Sequence, residues 1–183
     1  VLDEKWSKRP LIVSGSRDDS LRVWTLPRPE DADFYSEDDT EQNPYHKLHL
    51  GGHDHAVRDV AARGRTIVSG SYDCTVRVWD IVEGTCKWVL VGHTQKVYSV
   101  ALDIHRDIAG SGSIDSTVRV WDIQSGQCRH VLRGHTLGSL VGLLSLSSFY
   151  AVSASSDSTV RVWSRRRTPH SRSPRQRRHL CSA

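Results

Sequence analysis

His53, Ser69 and Asp73 are a histidine, a hydroxyl and a carboxylate on one short stretch. The same three types return as His93, Ser111 and Asp115, and again as His135, Ser153 and Asp157. A histidine flanked by a carboxylate and a serine hydroxyl can activate that hydroxyl as a nucleophile, so each set could be read as a hydrolase triad. A catalytic triad occurs once in a chain, whereas these sets recur at fixed spacing, and that favours a structural role. A second group has different chemistry. Arg17, Arg58, Tyr72 and Tyr98 combine two guanidiniums, which bind phosphate through a planar fork, with two phenols able to wall the same anion.

The elements that must position these residues are repeats. GSYDCTVRVWD (70–80), GSIDSTVRVWD (112–122) and ASSDSTVRVWS (154–164) are near-copies, and GSRDDSLRVWT (15–25) is a more distant one. Trp79, Trp121 and Trp163 are 42 residues apart, and Trp24 precedes Trp79 by 55. A Gly-His pair opens three units, at Gly52-His53, Gly92-His93 and Gly134-His135. An alternating apolar stretch follows, then a β-rich run ending in small residues, then a turn at Asp73, Asp115 or Asp157. The T-V-R-V-W run alternates with period two and is rich in β-branched residues, so it reads as a strand. Two copies add a fourth alternating run, TCKWVLV (85–91) and QCRHVLR (127–133). Four short strands per unit of about 40 residues, marked by Gly-His and Trp-Asp, describe a β-propeller blade.

The chain thus resembles the WD-repeat family. That resemblance implies a buried network linking histidine, turn Asp, second-strand Ser and third-strand Trp. Carried onto this sequence it gives His53–Asp73–Ser69–Trp79, His93–Asp115–Ser111–Trp121 and His135–Asp157–Ser153–Trp163, with Ser71 or Ser113 as alternatives for the serine. Arg22, Arg77, Arg119 and Arg161, two before every Trp, belong to the blade architecture on the same logic. The expected fold is an all-β WD-repeat β-propeller fragment of about four blades, two of them incomplete, from an eight-bladed parent. The blades fall at about 1–51, 52–91, 92–133 and 134–164, together forming one domain over 1–164.

Function is sought where the register holds but the residue changes. Before the turn Asp stand Arg17, Tyr72, Ile114 and Ser156. Five after the Gly-His histidine stand Arg58 and Tyr98, then Leu140 or Gly142. Both positions open onto one rim of a propeller's channel. IVSGSRDDSLRVWTLPRP (12–29), NPYHKLHLGGHDHAVRDV (43–60), IVSGSYDCTVRVWD (67–80), GHTQKVYSV (92–100) and LVGLL (140–144) resemble the fungal cell-division-cycle F-box/WD-repeat proteins and their animal relatives. The resemblance covers residues 11–164. It implies a substrate receptor of an SCF-type ubiquitin ligase that binds phosphorylated Ser/Thr-Pro degrons through Arg17, Arg58, Tyr72 and Tyr98. It also implies an adaptor and cullin reached through an F-box that this chain lacks, and residence in nucleus and cytoplasm. A generic WD-repeat scaffold without phosphate dependence is the other reading.

Charge and composition narrow the classes. Residues 165–183 carry seven arginines and no acid, leaving 18 cations against 21 acids in residues 1–164, so the basicity belongs to the tail. This Arg/Ser-rich, disordered tail would bind nucleic acid through phosphates alone. Its abrupt composition instead points to a frameshift, an unspliced intron or a mis-called gene end, and no nucleic-acid role is expected. Residues 27–46 hold seven acids and three prolines and read as a solvated insertion. No apolar run reaches membrane-spanning length. Cys74, Cys86, Cys128 and Cys181 form no metal-binding spacing, so no metal or cofactor is expected, and Cys86 and Cys128 share one repeat position. The chain has no Met and reads as a fragment whose open sheet edges make it sticky or poorly stable alone. No unrepeated nucleophile–base set is present, and no enzymatic activity is expected.

Overall fold

The computed structural model describes residues 9–26, 45–136, 138, 141–146 and 150–164. Most of the acidic insertion, the tail and Leu140 lie outside the described residues. The first sheet is β1 (Leu11–Gly15), β2 (Leu21–Thr25) and β3 (His46–Leu50). The second is β4 (Val57–Arg63), β5 (Thr66–Ser71), β6 (Val76–Asp80) and β7 (Thr85–Leu90). The third is β8 (Val97–Asp103), β9 (Ile108–Ser113), β10 (Thr117–Asp122) and β11 (Cys128–Arg133). The fourth is β12 (Val141–Leu146), β13 (Tyr150–Ser155) and β14 (Val160–Ser164). Every sheet is an antiparallel meander in chain order, the geometry of consecutive propeller blades. His46, assigned above to the insertion, instead opens β3, because it pairs with Trp24.

The V-R-V-W strands of blades 2 and 3 bury apolar side chains on both faces because each of these two blades is sandwiched between two others. Leu21, Val23 and Leu50 of blade 1 pack on Val57, Ile67, Trp79 and Ile81 of blade 2. Val68, Val76, Val78 and Leu90 of blade 2 pack on Val97, Val100, Ala109, Trp121 and Ile123 of blade 3. Val118 of blade 3 meets Val141 and Ala151 of blade 4, with Trp163 at the margin. The valines therefore face the following blade and the tryptophan the preceding one. Gly70 shows why the second strand ends in small residues. A Cβ there would lie 2.8 Å from Val97 Cγ1 and 2.9 Å from Val100 Cγ1 of the next blade's inner strand.

In blades 2, 3 and 4 one chain of bonds pairs a tryptophan, a serine, a histidine and an aspartate. Trp121 Nε1 donates to Ser111 Oγ at 2.8 Å, and Ser111 Oγ lies 2.7 Å from His93 Nε2. His93 Nδ1 lies 2.7 Å from Asp115 Oδ2. Asp115 also accepts from Thr94 N, Thr117 N and Thr117 Oγ1. The same bonds join Trp79, Ser69, His53 and Asp73, and Trp163, Ser153, His135 and Asp157. With a neutral imidazole every donor finds an acceptor: indole to hydroxyl, hydroxyl to Nε2, Nδ1 to carboxylate. Ser71 and Ser113 serve elsewhere, accepting from the amides of Asp73 and Asp115 and donating to the carbonyls of His55 and Gln95. Ser69, Ser111 and Ser153 are fully buried under tryptophan, so nothing in solution reaches their hydroxyls.

Each turn Asp is followed by a residue in the left-handed region: Asp19, Cys74, Ser116 and Ser158. The Asp side chain compensates by accepting the amide two residues on, as Asp73 does from Thr75 at 2.8 Å. Arg77 and Arg119 lie over Trp79 and Trp121, with the guanidinium carbon 6.0 and 5.8 Å from the ring centroids. Gly92 leaves room for this, since a Cβ there would stand 2.5 Å from Arg119 Nη1.

Two outcomes follow from the network. Ser111→Ala leaves the Trp121 indole and His93 Nε2 buried without partners and costs about 1–3 kcal/mol. The exposed Ser125→Ala control stays within about 0.5 kcal/mol. Denaturant midpoints compare them, and equal midpoints would contradict the assignment. Stability also declines in acid. Burial pushes the Asp115 carboxyl up, but its bonds from His93 and Thr117 outweigh that and hold it well below the usual carboxylate range. Asp73 is lowered in the same way. A carboxylate lowered in the folded state contributes stability above its unfolded pKa, about 4, and loses it as pH falls further. Burial pushes His53 below its ordinary value against the pull of Asp73, so the unfolded chain takes that proton first. Thermal midpoints should therefore decline below about pH 6.5 and more steeply below about pH 4. A midpoint that rises on acidification would overturn this.

Candidate functional site

Arg17, Arg58, Tyr72 and Tyr98 all leave the sheets at the end where first strands begin and second strands turn into third. Tyr72 and Arg17 occupy the residue before the turn Asp. The Tyr72 amide donates to the Ala56 carbonyl at 3.0 Å, which folds the hairpin tip against the entry to β4. The Val57 amide donates to the Ser16 carbonyl at 2.9 Å, so the backbone next to Arg58 is tied to the backbone next to Arg17 in the preceding blade.

Arg58 and Tyr98 are set by bulges. In blade 2 Val57 pairs with Ser71 and Asp59 with Gly70, leaving Arg58 as the extra residue. In blade 3 Val97 pairs with Ser113 and Ser99 with Gly112, leaving Tyr98 as the extra residue. A bulge interrupts the alternation of faces and re-aims the side chain it carries. In blade 4 the register runs unbroken from Val141 to Leu143 and shifts only before Ser145. Gly142 thus sits inside a regular pairing, opposite Ala154.

The side chains form a row across the junction of blades 2 and 3. Arg58 Cζ lies 5.9 Å from the Tyr98 ring centroid. The Tyr98 and Tyr72 rings are 5.1 Å apart, tilted by 39°. Lys96 Nζ lies 4.8 Å from the Tyr72 ring. Blades contribute alternately, Arg58 and Tyr72 from the second, Tyr98 and Lys96 from the third. Lys96 was not singled out above, because a lysine three residues after a Gly-His pair carries no signal until its contact with Tyr72 is seen. Arg17 is exposed, and no ring contact to it is found among the described residues.

Among the described residues no carboxylate pairs with Arg17, Arg58 or Lys96. The acid next to Arg58, Asp59, is turned inward, with Oδ2 accepting the Val100 amide of the next blade at 2.8 Å, and the acid next to Arg17, Asp18, pairs with Arg22. The site is therefore cationic, with its charges held on aromatic faces, an arrangement worth about 0.5–1 kcal/mol at exposed positions. The Tyr98 phenol is pushed above its ordinary value, first by its hydrogen bond to Tyr72, while Arg58 pulls the other way. The raised Tyr98 phenol stays protonated near neutrality.

The family description "WD domain, G-beta repeat" matches residues 3–25, 43–80, 84–122 and 126–164. The chain belongs to the WD-repeat family. Its repeats are similar to cell division control protein 4 of Candida albicans, 46% identical over 99 residues, which is 52% of this chain and 14% of that protein. They are also similar to the F-box/WD repeat-containing protein sel-10 of Caenorhabditis elegans, 39% identical over 94 residues, 51% of this chain and 14% of that one. The resemblance to cell-division-cycle F-box/WD-repeat proteins drawn from the motifs is borne out by these matches. Other WD-repeat proteins match too, among them the small ribosomal subunit protein RACK1 of Drosophila melanogaster, 39% identical over 75 residues, 40% of this chain and 21% of that one. Among solved structures, the computationally designed Ika8 protein superposes with a TM-score of 0.69 at 28% identity, covering 85% of this chain and 43% of that one. The matched part of this chain spans about a seventh of the length of the F-box/WD relatives.

The ring pair gives a direct check on the geometry. Tyr72→Phe removes the hydroxyl partner of Tyr98, and the Tyr98 pKa should fall toward the ordinary phenol value of about 10. Carbon-labelled tyrosine followed by NMR through alkaline pH reads it. An unshifted Tyr98 would mean that the two hydroxyls do not meet.

Proposed function

We propose that this WD-repeat chain is the substrate-recognition surface of an SCF-type ubiquitin ligase receptor, and that it binds phosphorylated Ser/Thr-Pro segments at the junction of blades 2 and 3. The observation that carries this reading is the unpaired Arg58 guanidinium, bulged from β4 and held over Tyr98 beside Tyr72 and Lys96. Arg58 would clamp the phosphate as a two-pronged donor, Arg17 would reach it from the neighbouring blade, and the two phenols would wall the pocket and meet the proline. Similarity to cell division control protein 4 and to sel-10 supports the ligase context. The chain itself would do no chemistry; ubiquitin transfer would belong to partner enzymes recruited through an F-box carried elsewhere. The other reading is a general WD-repeat scaffold whose ligand carries no phosphate; it is consistent with the match to a WD-repeat protein not described as an F-box protein, RACK1.

Isothermal titration with a phosphothreonine-proline peptide and its unphosphorylated twin separates the two. Loss of a charge-assisted bond to phosphate costs about 1.5–3 kcal/mol, so Arg58→Ala should weaken the phosphopeptide roughly 10–100-fold and leave the unphosphorylated peptide unchanged. Equal loss for both peptides, or no loss, favours the scaffold.

A further inference from the structure

Arg58 is exposed, yet the residues on either side of it are each bonded to a different blade. The Val57 amide donates to the Ser16 carbonyl of blade 1 at 2.9 Å. The Asp59 carboxylate reaches the other way, into blade 3, where its Oδ2 accepts the Val100 amide at 2.8 Å. Its Oδ1 accepts the Val60 amide of its own strand at 2.9 Å. Val60 and Val100 hold the same place in successive units, seven residues after His53 and His93, so one carboxylate ties equivalent points of β4 and β8. Val100 stands two residues beyond Tyr98. The bond thus joins the two bulges whose side chains meet, with Arg58 Cζ 5.9 Å from the Tyr98 ring. The repeat marks Asp59 as a departure, since blade 3 carries Ser99 at the same position, six residues after His93. An aspartate reaches one bond further than a serine and offers two oxygens, one for each amide.

We propose that Asp59 is a positioning residue of the phosphate site, and that its bond to Val100 fixes the Arg58 guanidinium over the Tyr98 ring. The proposal rests on the reading of Arg58 as the phosphate ligand. A bulged residue has no ladder partner of its own, so its aim follows from the backbone on either side. Here that backbone is held at Val57 by blade 1 and at Asp59 by blade 3. Without the second tie the bulge is free to turn, and the arginine must be ordered when the anion arrives, at a cost in affinity. The sign of the effect is informative. A carboxylate beside an anion site repels the anion, so loss of the charge alone tightens binding. Loss of the tie weakens it. Asp59 therefore acts in two opposite ways, and variants separate them.

Asp59→Ser and Asp59→Asn both remove the charge. Serine, which blade 3 already carries at this position, falls one bond short of the Val100 amide, whereas asparagine keeps an oxygen that reaches it. In titration with a phosphothreonine-proline peptide, Asp59→Ser should bind about fivefold more weakly than wild type, and Asp59→Asn within about twofold of wild type or more tightly. Two NMR readouts need no peptide. In Asp59→Ser the Val100 amide should exchange faster and the NOE between the Arg58 side chain and the Tyr98 ring should fade, and in Asp59→Asn both should persist. Peptide binding by Asp59→Ser as tight as wild type or tighter, or an Arg58–Tyr98 contact that survives in it, would overturn the proposal. So would a Val100 amide that exchanges freely in the wild-type chain, whatever the variants do. A wild-type chain that binds the phosphorylated peptide and its unphosphorylated twin equally would sink the phosphate reading instead, and the Val100 and Arg58 signals would still decide whether Asp59 positions Arg58.

Discussion

The serine hydroxyl at the centre of each blade constrains everything around it. Ser69, Ser111 and Ser153 each take the indole proton of a tryptophan and face the Nε2 of a histidine. Because all these groups are buried, each must be paired, and only one arrangement of strands pairs them. The histidine comes from the loop that enters the blade, the serine from its second strand, the tryptophan from its third and the aspartate from the turn between them. One chain of bonds thus fixes the loop, two strands and the turn together. It also seats the tryptophan against the preceding blade, where it joins the apolar junction. Fully satisfied, such a network favours a single packing; partly satisfied, it costs more than an apolar core would.

Blade 1 shows what remains when the histidine is not in the described set. Trp24 still donates to Ser14 Oγ at 2.9 Å. Asp18 turns instead to Ser16, Ser20 and Arg22, and the bonds from Ser20 and Ser16 hold its carboxyl low, at about 2. Arg22 pairs with Asp18 at the surface, where Arg77 and Arg119 lie over their tryptophans. The arginine two before each Trp therefore serves the blade, and its neighbours decide how.

Much of the fold is legible in the amino-acid sequence because a repeat states the same solution several times. Gly-His, the turn Asp and V-R-V-W locate loop, hairpin and third strand, and period-two alternation marks the rest. The histidine, serine and tryptophan positions follow from their fixed spacing. The bulges were not legible. V-R-D-V and V-Y-S-V read as ordinary alternating strands, and only pairing with β5 and β9 shows that Arg58 and Tyr98 fall out of step. The Lys96–Tyr72 contact spans two blades, so no local pattern announces it. The inward turn of Asp59 onto the Val100 amide, which keeps that carboxylate from Arg58, is likewise a contact between blades. What distinguishes the rim from the scaffold is thus written in two bulges and a few contacts between blades, placed on a frame that the repeats make rigid.

A crystal structure of this WD-repeat region with a phosphothreonine-proline peptide tests the central claim most directly. The account places the phosphate on the Arg58 guanidinium, with the Tyr72 and Tyr98 hydroxyls and Lys96 around it and the blade networks unmoved. A peptide bound elsewhere, or one whose phosphate points into solvent away from Arg58, would contradict it.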